Sequence, residues 1–452
     1  MTERDYAVEV VRRLRQAGHE SLWAGGCVRD ELLGLTPADY DVATSARPED
    51  VVALFHRTVE VGASFGVVEV IGSRRLDGTY PKVQVATFRS DGAYSDGRRP
   101  DSVRFSTAEE DAQRRDFTIN GMFFDPLDAR VIDYVSGQAD LQAKILRAIG
   151  DPKARFTEDK LRLMRAVRMS ARFEFPIEAQ TRAAILEMAG QISVVSAERI
   201  AEELRKMLVH RNRDWALRQL DELGLLRHVL PEVESEMKGL PQGPPDAPTG
   251  DLWQHVLRVV EALEGPRWPE SSPVSFPLAF AAILHDVGKK RSAAREADRY
   301  TFHGHEHIGK RIAGKACRRL KLSNVETDRI EWLVERHQYL CDAPTMRASR
   351  LKPILVHPGI GELLALHRAD SIATGRSVAH VDFCEKMLRE SPPEELNPPP
   401  LLTGDDLIAV GWEQGPQFKK VLDGIREAQL ERVIDDKEAA LALAEKLRIG
   451  VT

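Results

Sequence analysis

Two aspartates one residue apart, Asp39 and Asp41, stand in the stretch ADYDVAT. Tyr40, Val42 and Thr44 around them favour strands. In a strand, residues i and i+2 point to the same face, so this spacing aims both carboxylates in one direction. Adjacent anions repel unless a cation sits between them, and a hard oxygen pair suits Mg²⁺, which takes one or two carboxylates plus substrate phosphates. Upstream, Gly25 and Gly26 close an apolar run and precede a helical segment, Val28 to Leu35, with Arg29 in its first turn. Backbone can approach a phosphate closely at such a turn, where free N–H groups and the helix dipole favour an anion. Alone, Asp-x-Asp usually marks a solvated turn and a glycine pair before a helix is no more specific. Their order within one short stretch carries the weight.

Together, GGCVRD and DYD are similar to the GGxVRD and DxD signature of nucleotidyltransferases, and the chain resembles the class II tRNA nucleotidyltransferases, the family of CCA-adding enzymes and bacterial poly(A) polymerases. The resemblance implies a catalytic palm in which Asp39 and Asp41 are the catalytic residues and hold Mg²⁺, with Gly25, Gly26 and Arg29 binding the nucleotide. Relatives often carry Glu where this chain has Gln84, so the ion is expected to rest on Asp39 and Asp41 alone.

Further along, RRDFTINGMFFDP (Arg114 to Pro126) puts Arg115, Asp116 and Asn120 close enough to face one pocket. Arg115 could neutralise a triphosphate, and Asp116 with Asn120 could bond a ribose. The stretch resembles the family's RRDFTxNAM motif, with Gly121 replacing Ala. From Phe156 the pattern turns helical (FTEDKLRLMRAVRMSARFEF), and Asp159, Arg162, Arg165 and Arg168 recur every third residue, which predicts a slowly turning polar ridge. Such a ridge is most often a solvated face; here four such groups with Arg in excess, Asp159, Arg162, Arg165 and Arg168, are expected to bind the nucleotide through its phosphates or base, and the stretch resembles the family's EDxxR motif at Glu158, Asp159 and Arg162.

The chemistry of that motif follows from donors and acceptors. Cytosine and adenine show an exocyclic NH₂ donor beside a ring-nitrogen acceptor, whereas guanine and uracil show a carbonyl beside an N–H. A carboxylate that only accepts (Asp159), beside a guanidinium that only donates (Arg162), matches the first pair and opposes the second. Each wrong base leaves buried groups unpaired at about 1–3 kcal/mol apiece. Side chains can thus select CTP and ATP without a nucleic-acid template.

A second constellation lies in the C-terminal half: His255, His285 with Asp286, His305, His337 and Asp370, all in helical sequence. A lone histidine in a helix is usually packed or at the surface. This set, with its adjacent His-Asp pair, resembles an HD phosphohydrolase domain. The resemblance implies that His255, His285, Asp286 and Asp370 hold a divalent ion (Mg, Mn, Ni or Fe), with His303, His305 and His337 available for a second ion or a phosphate. Such an ion activates water and polarises a phosphoryl oxygen.

The elements that must position these groups divide the 452 residues into several domains. Alternating helical and strand-like runs, including GVVEVI and VQVATF, predict an α+β architecture: a mixed-sheet nucleotidyltransferase palm over 1–150, a helical neck and body over 151–238 for the nucleobase and tRNA, a helical HD domain over 251–390 and a helical tail over 391–452. The Pro- and Gly-rich stretch 239–250 reads as the linker. The polar segment Arg89 to Phe105 resembles the family's flexible element for terminal A addition, and its full length favours complete CCA addition or A addition.

The net charge of −6 argues against a uniformly basic surface, but basic clusters at 153–172 and 205–213 suit RNA. Four scattered cysteines without CxxC spacing, the absence of a secretory leader and the absence of a membrane-length apolar run predict a cytoplasmic protein. The expected partners are tRNA, CTP and ATP. The rivals are a poly(A) polymerase, a partial CC- or A-adding enzyme, and a metal phosphohydrolase whose N-terminal part binds RNA.

Overall fold

The computed structural model describes residues 2–62, 66–75, 78–91, 103–242, 250–296, 299–413 and 415–449. The chain forms two compact units, Met1–Pro231 and Glu232–Thr452. The first begins with α1 (Glu3–Gln16), β1 (Ser21–Ala24), α2 (Gly26–Leu32), β2 (Asp41–Thr44) and α3 (Pro48–Leu54). There follow β3 (Thr58–Gly62), β4 (Val67–Ile71), β5 (Lys82–Thr87), β6 (Arg89–Asp91), β7 (Val103–Phe105), α4 (Ala108–Gln113), β8 (Phe123–Asp125) and β9 (Arg130–Ile132). Seven of these strands make one sheet in the order β3-β4-β5-β2-β1-β8-β9, in which only β2 and β5 run parallel. A parallel neighbour requires a crossover, and α3 with the β3-β4 hairpin supplies it.

The strand SLWA is buried on both faces because helices cover both. Leu22 and Ala24 pack with Ala108 and Ala112 of α4 and with Phe88 and Phe123. Trp23, on the opposite face, meets Tyr40 edge-on and lies under Arg4 of α1. Helix α1 opens on a capping box between Thr2 and Asp5 and buries Tyr6, Ala7, Val10, Val11 and Leu14, a single stripe at helical spacing. The α+β expectation is borne out. The expected loop Arg89 to Phe105 has its ends paired as β6 and β7, while 92–102 lies outside the described residues.

Helices α5 (Gly137–Ala143), α6 (Pro152–Glu158), α7 (Arg162–Phe173), α8 (Ala179–Met188), α9 (Ala197–Leu208) and α10 (Arg213–Glu222) follow. Here one expectation is corrected. The run from Phe156 to Phe173 is two helices, because Asp159 leaves the helical region (φ −141, ψ 105) and its Oδ1 accepts from the Leu161 N–H at 3.0 Å. A short carboxylate competes with the backbone for N–H groups and so favours a helix boundary. Asp159 therefore does not share a helical ridge with Arg162, Arg165 and Arg168.

In the second unit the helices Leu252–Glu261, Phe276–Leu284, His305–Arg319, Asn324–Arg336 and Ile360–Ala373 surround a shared core. Phe276–Leu284 is buried nearly all round, as an apolar segment (FPLAFAAIL) must be. The tail helices Gly404–Ala409, Pro416–Leu430 and Lys437–Ile449 close on a core of their own, with Leu407, Trp412, Val421, Ile425, Ala440 and Ala444. The expected linker 239–250 falls partly on 243–249, outside the described residues. No helix among the described residues is long and apolar enough to cross a membrane.

Candidate active site and metal centre

Gly25 caps α2 with φ +74, a conformation that favours glycine, and an added Cβ would lie 2.7 Å from Arg115 Nη1. The guanidinium of Arg115 thus rests against the glycine turn. It is aimed there by Asp111, which accepts from Arg115 Nε at 3.1 Å and Nη2 at 2.9 Å, while Arg115 Nη1 donates to the Asn120 carbonyl at 3.3 Å. Asp111 also accepts from Arg114 Nε at 2.9 Å. Sequence reasoning missed Asp111, although its i, i+3 and i+4 spacing to the two arginines just past the end of α4 was a usable signal.

Asp41 opens β2 and is half-buried; Asp39 is exposed and lies ahead of the strand. The expectation that strand pleating aims both is therefore corrected, since only Asp41 belongs to the ladder. The two remain electrostatic neighbours. Burial, then the charge of Asp39, pushes the Asp41 carboxyl up from 3.8 to about 6, against the opposing pull of Arg115. A half-buried carboxylate raised by a second carboxylate and only partly relieved by an arginine fits a cation. Gln84 pairs with Asp41 across the parallel strands, and Glu69 of β4 pairs with Gln84. Glu69 is held by Lys82 Nζ at 3.1 Å.

Beneath the turn, Arg29 is 3% exposed; its Nε donates to Asp30 at 2.8 Å and its Nη1 donates to Asn120 Oδ1 at 2.5 Å. Helix α2 starts at Gly26 and stops at Leu32, earlier at both ends than expected, and Arg29 faces its buried side. Asn120 Nδ2 donates to Asp116 Oδ1 at 3.0 Å, and Asp116 Oδ2 accepts from Arg165 Nε at 2.9 Å. Burial opposes charge on Asp116, yet Arg165, Asn120 and Arg162 together hold its carboxyl well below the usual range. Arg29, Asn120, Asp116 and Arg165 thus form one continuous chain from the glycine turn to α7. At Gly121 an added Cβ would stand 2.6 Å from Val135 Cγ2, so a side chain there requires Val135 to shift.

The EDxxR residues lie at the break between α6 and α7. Arg162 Nη1 donates to Glu158 at 2.6 Å and its Nη2 to the Arg114 carbonyl at 3.1 Å. Asp159 Oδ2 accepts from Arg199 Nη2 of α9 at 2.8 Å, a partner that sequence reasoning did not pair with it. Arg168 donates to Glu203 at 2.6 Å, away from Asp116.

The second unit gathers every histidine and aspartate expected at the HD site except His303, which is exposed and belongs to neither cluster. His255, His285 and Asp286 form one triad; Asp286, His305 and His337 form another. Asp370 Oδ1 lies 3.2 Å from His255 Nε2 and 3.9 Å from His285 Nε2. The Nδ1 atoms of His285, His305 and His337 each face a backbone carbonyl three residues back, at 2.9, 2.7 and 2.8 Å. An Nδ1–H donated there leaves the Nε2 lone pair facing the cluster.

Those Nε2 atoms then meet each other, His255 with His285 at 3.4 Å and His305 with His337 at 3.2 Å. Asp286 Oδ1 is buried without a hydrogen-bond partner, 3.3 Å from both His305 Nε2 and His337 Nε2. Converging lone pairs around an orphaned carboxylate oxygen fit divalent cations. The cluster draws positive charge by other routes too. Lys289 Nζ sits 2.6 Å from Asp286 Oδ2, and although burial opposes charge on His285, Asp286 and Asp370 raise its pKa. Lys289 was not anticipated; its i+3 spacing from Asp286 was the available signal.

The fold and these two sites define a mixed-sheet head of the kind found in polymerase-type nucleotidyltransferases with a helical extension, followed by a His/Asp cluster that could hold metal. Residues 22–147 match the family described as "Poly A polymerase head domain", 174–237 that described as "Probable RNA and SrmB- binding site of polymerase A", and 252–392 the "HD domain". Within that class the chain is similar to CCA-adding enzymes. It is 43% identical to that of Leuconostoc mesenteroides over 204 residues, 45% of this chain and 49% of that protein. It is 42% identical to that of Bacillus subtilis over 215 residues, 47% of this chain and 52% of that protein. The chain spans about half the length of the curated relatives it matches. Among solved structures, the Bacillus stearothermophilus CCA-adding enzyme in complex with CTP is 27% identical, with a TM-score of 0.74 over 99% of this chain and 98% of that one. The Thermotoga maritima CCA-adding enzyme complexed with tRNA_CCA shares the fold, with a TM-score of 0.60.

Proposed function

We propose that the protein adds CCA to the 3′ end of tRNA without a nucleic-acid template, using CTP and ATP and releasing pyrophosphate. The observation that carries this reading is the position of Asp41: raised to about 6 by burial and by Asp39, beside an arginine held against a glycine turn. Bound at Asp39 and Asp41, Mg²⁺ would supply the charge that lowers the pKa of the primer 3′-OH and steadies the triphosphate. The chain's own groups do the rest. Gly25 and Gly26 let the backbone approach phosphates, Arg115 neutralises them, and the chain of Arg29, Asn120, Asp116 and Arg165 holds the ribose side. Asp159 and Arg162 read the base, exchanging Arg199 and Glu158 for the pairing edge of cytosine or adenine. The solved relative that holds CTP supports this assignment.

In this reading residues 1–150 are the palm, 151–238 the neck and body, 251–390 the HD domain and 391–452 a helical tail. The test uses tRNA ending at its discriminator base and each labelled nucleotide in turn. C and A incorporation supports the reading; A alone on many RNAs identifies a poly(A) polymerase, and C alone a partial enzyme. Replacing both Asp39 and Asp41 by Ala abolishes incorporation while tRNA still binds; unchanged incorporation refutes the assignment.

The His/Asp centre carries a second activity in this proposal, hydrolysis of a phosphate ester. A divalent ion there would supply an activated water and polarise the phosphoryl oxygen, and Lys289 offers a cation beside Asp286. Phosphate release that survives loss of Asp39 and Asp41 but not of His285 and Asp286 assigns it to this centre.

A further inference from the structure

We infer that Asp30 and Arg172 form a rung between α2 and α7 that fixes where the base-reading end of α7 stands. The inference rests on the nucleotidyltransferase reading and adds residues that it does not use. Asp30 is 4% exposed and follows Arg29 in α2. Its Oδ1 takes Arg29 Nε at 2.8 Å and Nη2 at 2.7 Å, and its Oδ2 takes Arg172 Nη2 at 3.0 Å. Phe173 lies beneath both guanidinium groups, its ring centre 4.6 Å from Arg29 Cζ and 5.0 Å from Arg172 Cζ. One buried carboxylate therefore joins an arginine of the glycine turn to the last turn of the helix that begins at Arg162.

The spacing shows why this end matters. Arg162, Arg165, Met169 and Arg172 recur along one face of α7, and each meets the palm. Arg162 donates to the Arg114 carbonyl at 3.1 Å, Arg165 bonds Asp116, Met169 Sδ lies 3.9 Å from Arg29 Nη1, and Arg172 closes on Asp30. At 1.5 Å per residue, Arg172 stands roughly 10 Å beyond Arg165 and Arg162 roughly 4.5 Å before it. With Arg165–Asp116 as fulcrum, a slip of about 1 Å at the Arg172 end becomes about half an ångström at Arg162, enough to spoil a hydrogen bond to a base edge. Arg172 touches no reacting atom, so it is a positioning residue.

The test is Arg172→Gln in the full chain, read as CTP-over-UTP preference on tRNA ending at its discriminator base, with kcat and KM for CTP and the melting temperature measured alongside. The expected result is a preference reduced about tenfold, with kcat for CTP falling more than KM rises. Arg172→Lys keeps the charge but not the fork; it restores part of the preference and serves as the test variant should Arg172→Gln not fold. A preference within about twofold of the unmodified protein's overturns the inference, whatever the melting temperature does. Failure of the unmodified protein to incorporate CTP is a separate result, which overturns the nucleotidyltransferase reading and this inference with it.

Discussion

Gln84 lies directly across from Asp41 in the parallel pairing of β2 with β5. A neutral amide there adds no negative charge to the pair of aspartates. Gln84→Glu is expected to lower the Mg²⁺ concentration needed for half-maximal incorporation. In chelator it should lower stability by about 0.2–1 kcal/mol, the usual cost of like charges facing each other across strands. An Mg²⁺ titration of incorporation, with melting curves in chelator, checks both.

Asp41 gives a pH signature. Its folded-state carboxyl titrates above its ordinary value, so the folded protein binds this proton more tightly than the unfolded chain, and stability falls as pH rises from about 4 to about 6. Asp41→Asn removes that loss. In chelator it is expected to stabilise the first unit by about 1–3 kcal/mol above pH 6, with the advantage shrinking toward zero near pH 4. Denaturant unfolding at several pH values measures it, and added Mg²⁺ should narrow the gap by stabilising only the parent protein.

Gly25→Ala introduces strain of about 1–3 kcal/mol at a positive φ and drives a Cβ into Arg115 Nη1. Arg115 can yield only by leaving Asp111 or the Asn120 carbonyl. The expected outcome is a modest fall in melting temperature with a much larger rise in KM for both CTP and ATP. Steady-state kinetics with each nucleotide checks this.

At the second site, adding Mn²⁺ or Ni²⁺ to chelator-treated protein is expected to raise the melting temperature. Ligand at a hundredfold over its dissociation constant stabilises by about 2.7 kcal/mol. Asp286→Asn should abolish the shift, because Asp286 belongs to both triads. Calorimetric scans with and without ion, alongside direct metal analysis, decide it.

Much of this was legible in the chain because the informative signals were local. The glycine turn, β2 and the histidine helices follow from residue type and period, and the RRDFTING segment does place Arg115, Asp116 and Asn120 together. Two kinds of fact were not legible. The helix break at Asp159 depends on a side chain capturing the Leu161 N–H, which a count of every third residue cannot see. The pairings Asp159 with Arg199 and Asp30 with Arg172 join residues 40 and 142 positions apart, so only packing could reveal them. Asp111 was missed for another reason: an acid three and four residues before arginines is also common on exposed helices, and its burial sets it apart.

Because a single carboxylate, that of Asp286, is common to both histidine triads, two ions bound there would not load independently. A first ion would share that oxygen pair with the second, and two double charges a few ångströms apart would repel. A binding isotherm at this site should consequently be broader than two equal, separate steps would give, so that activity requiring both halves would be lost at a metal concentration at which the first half is still filled.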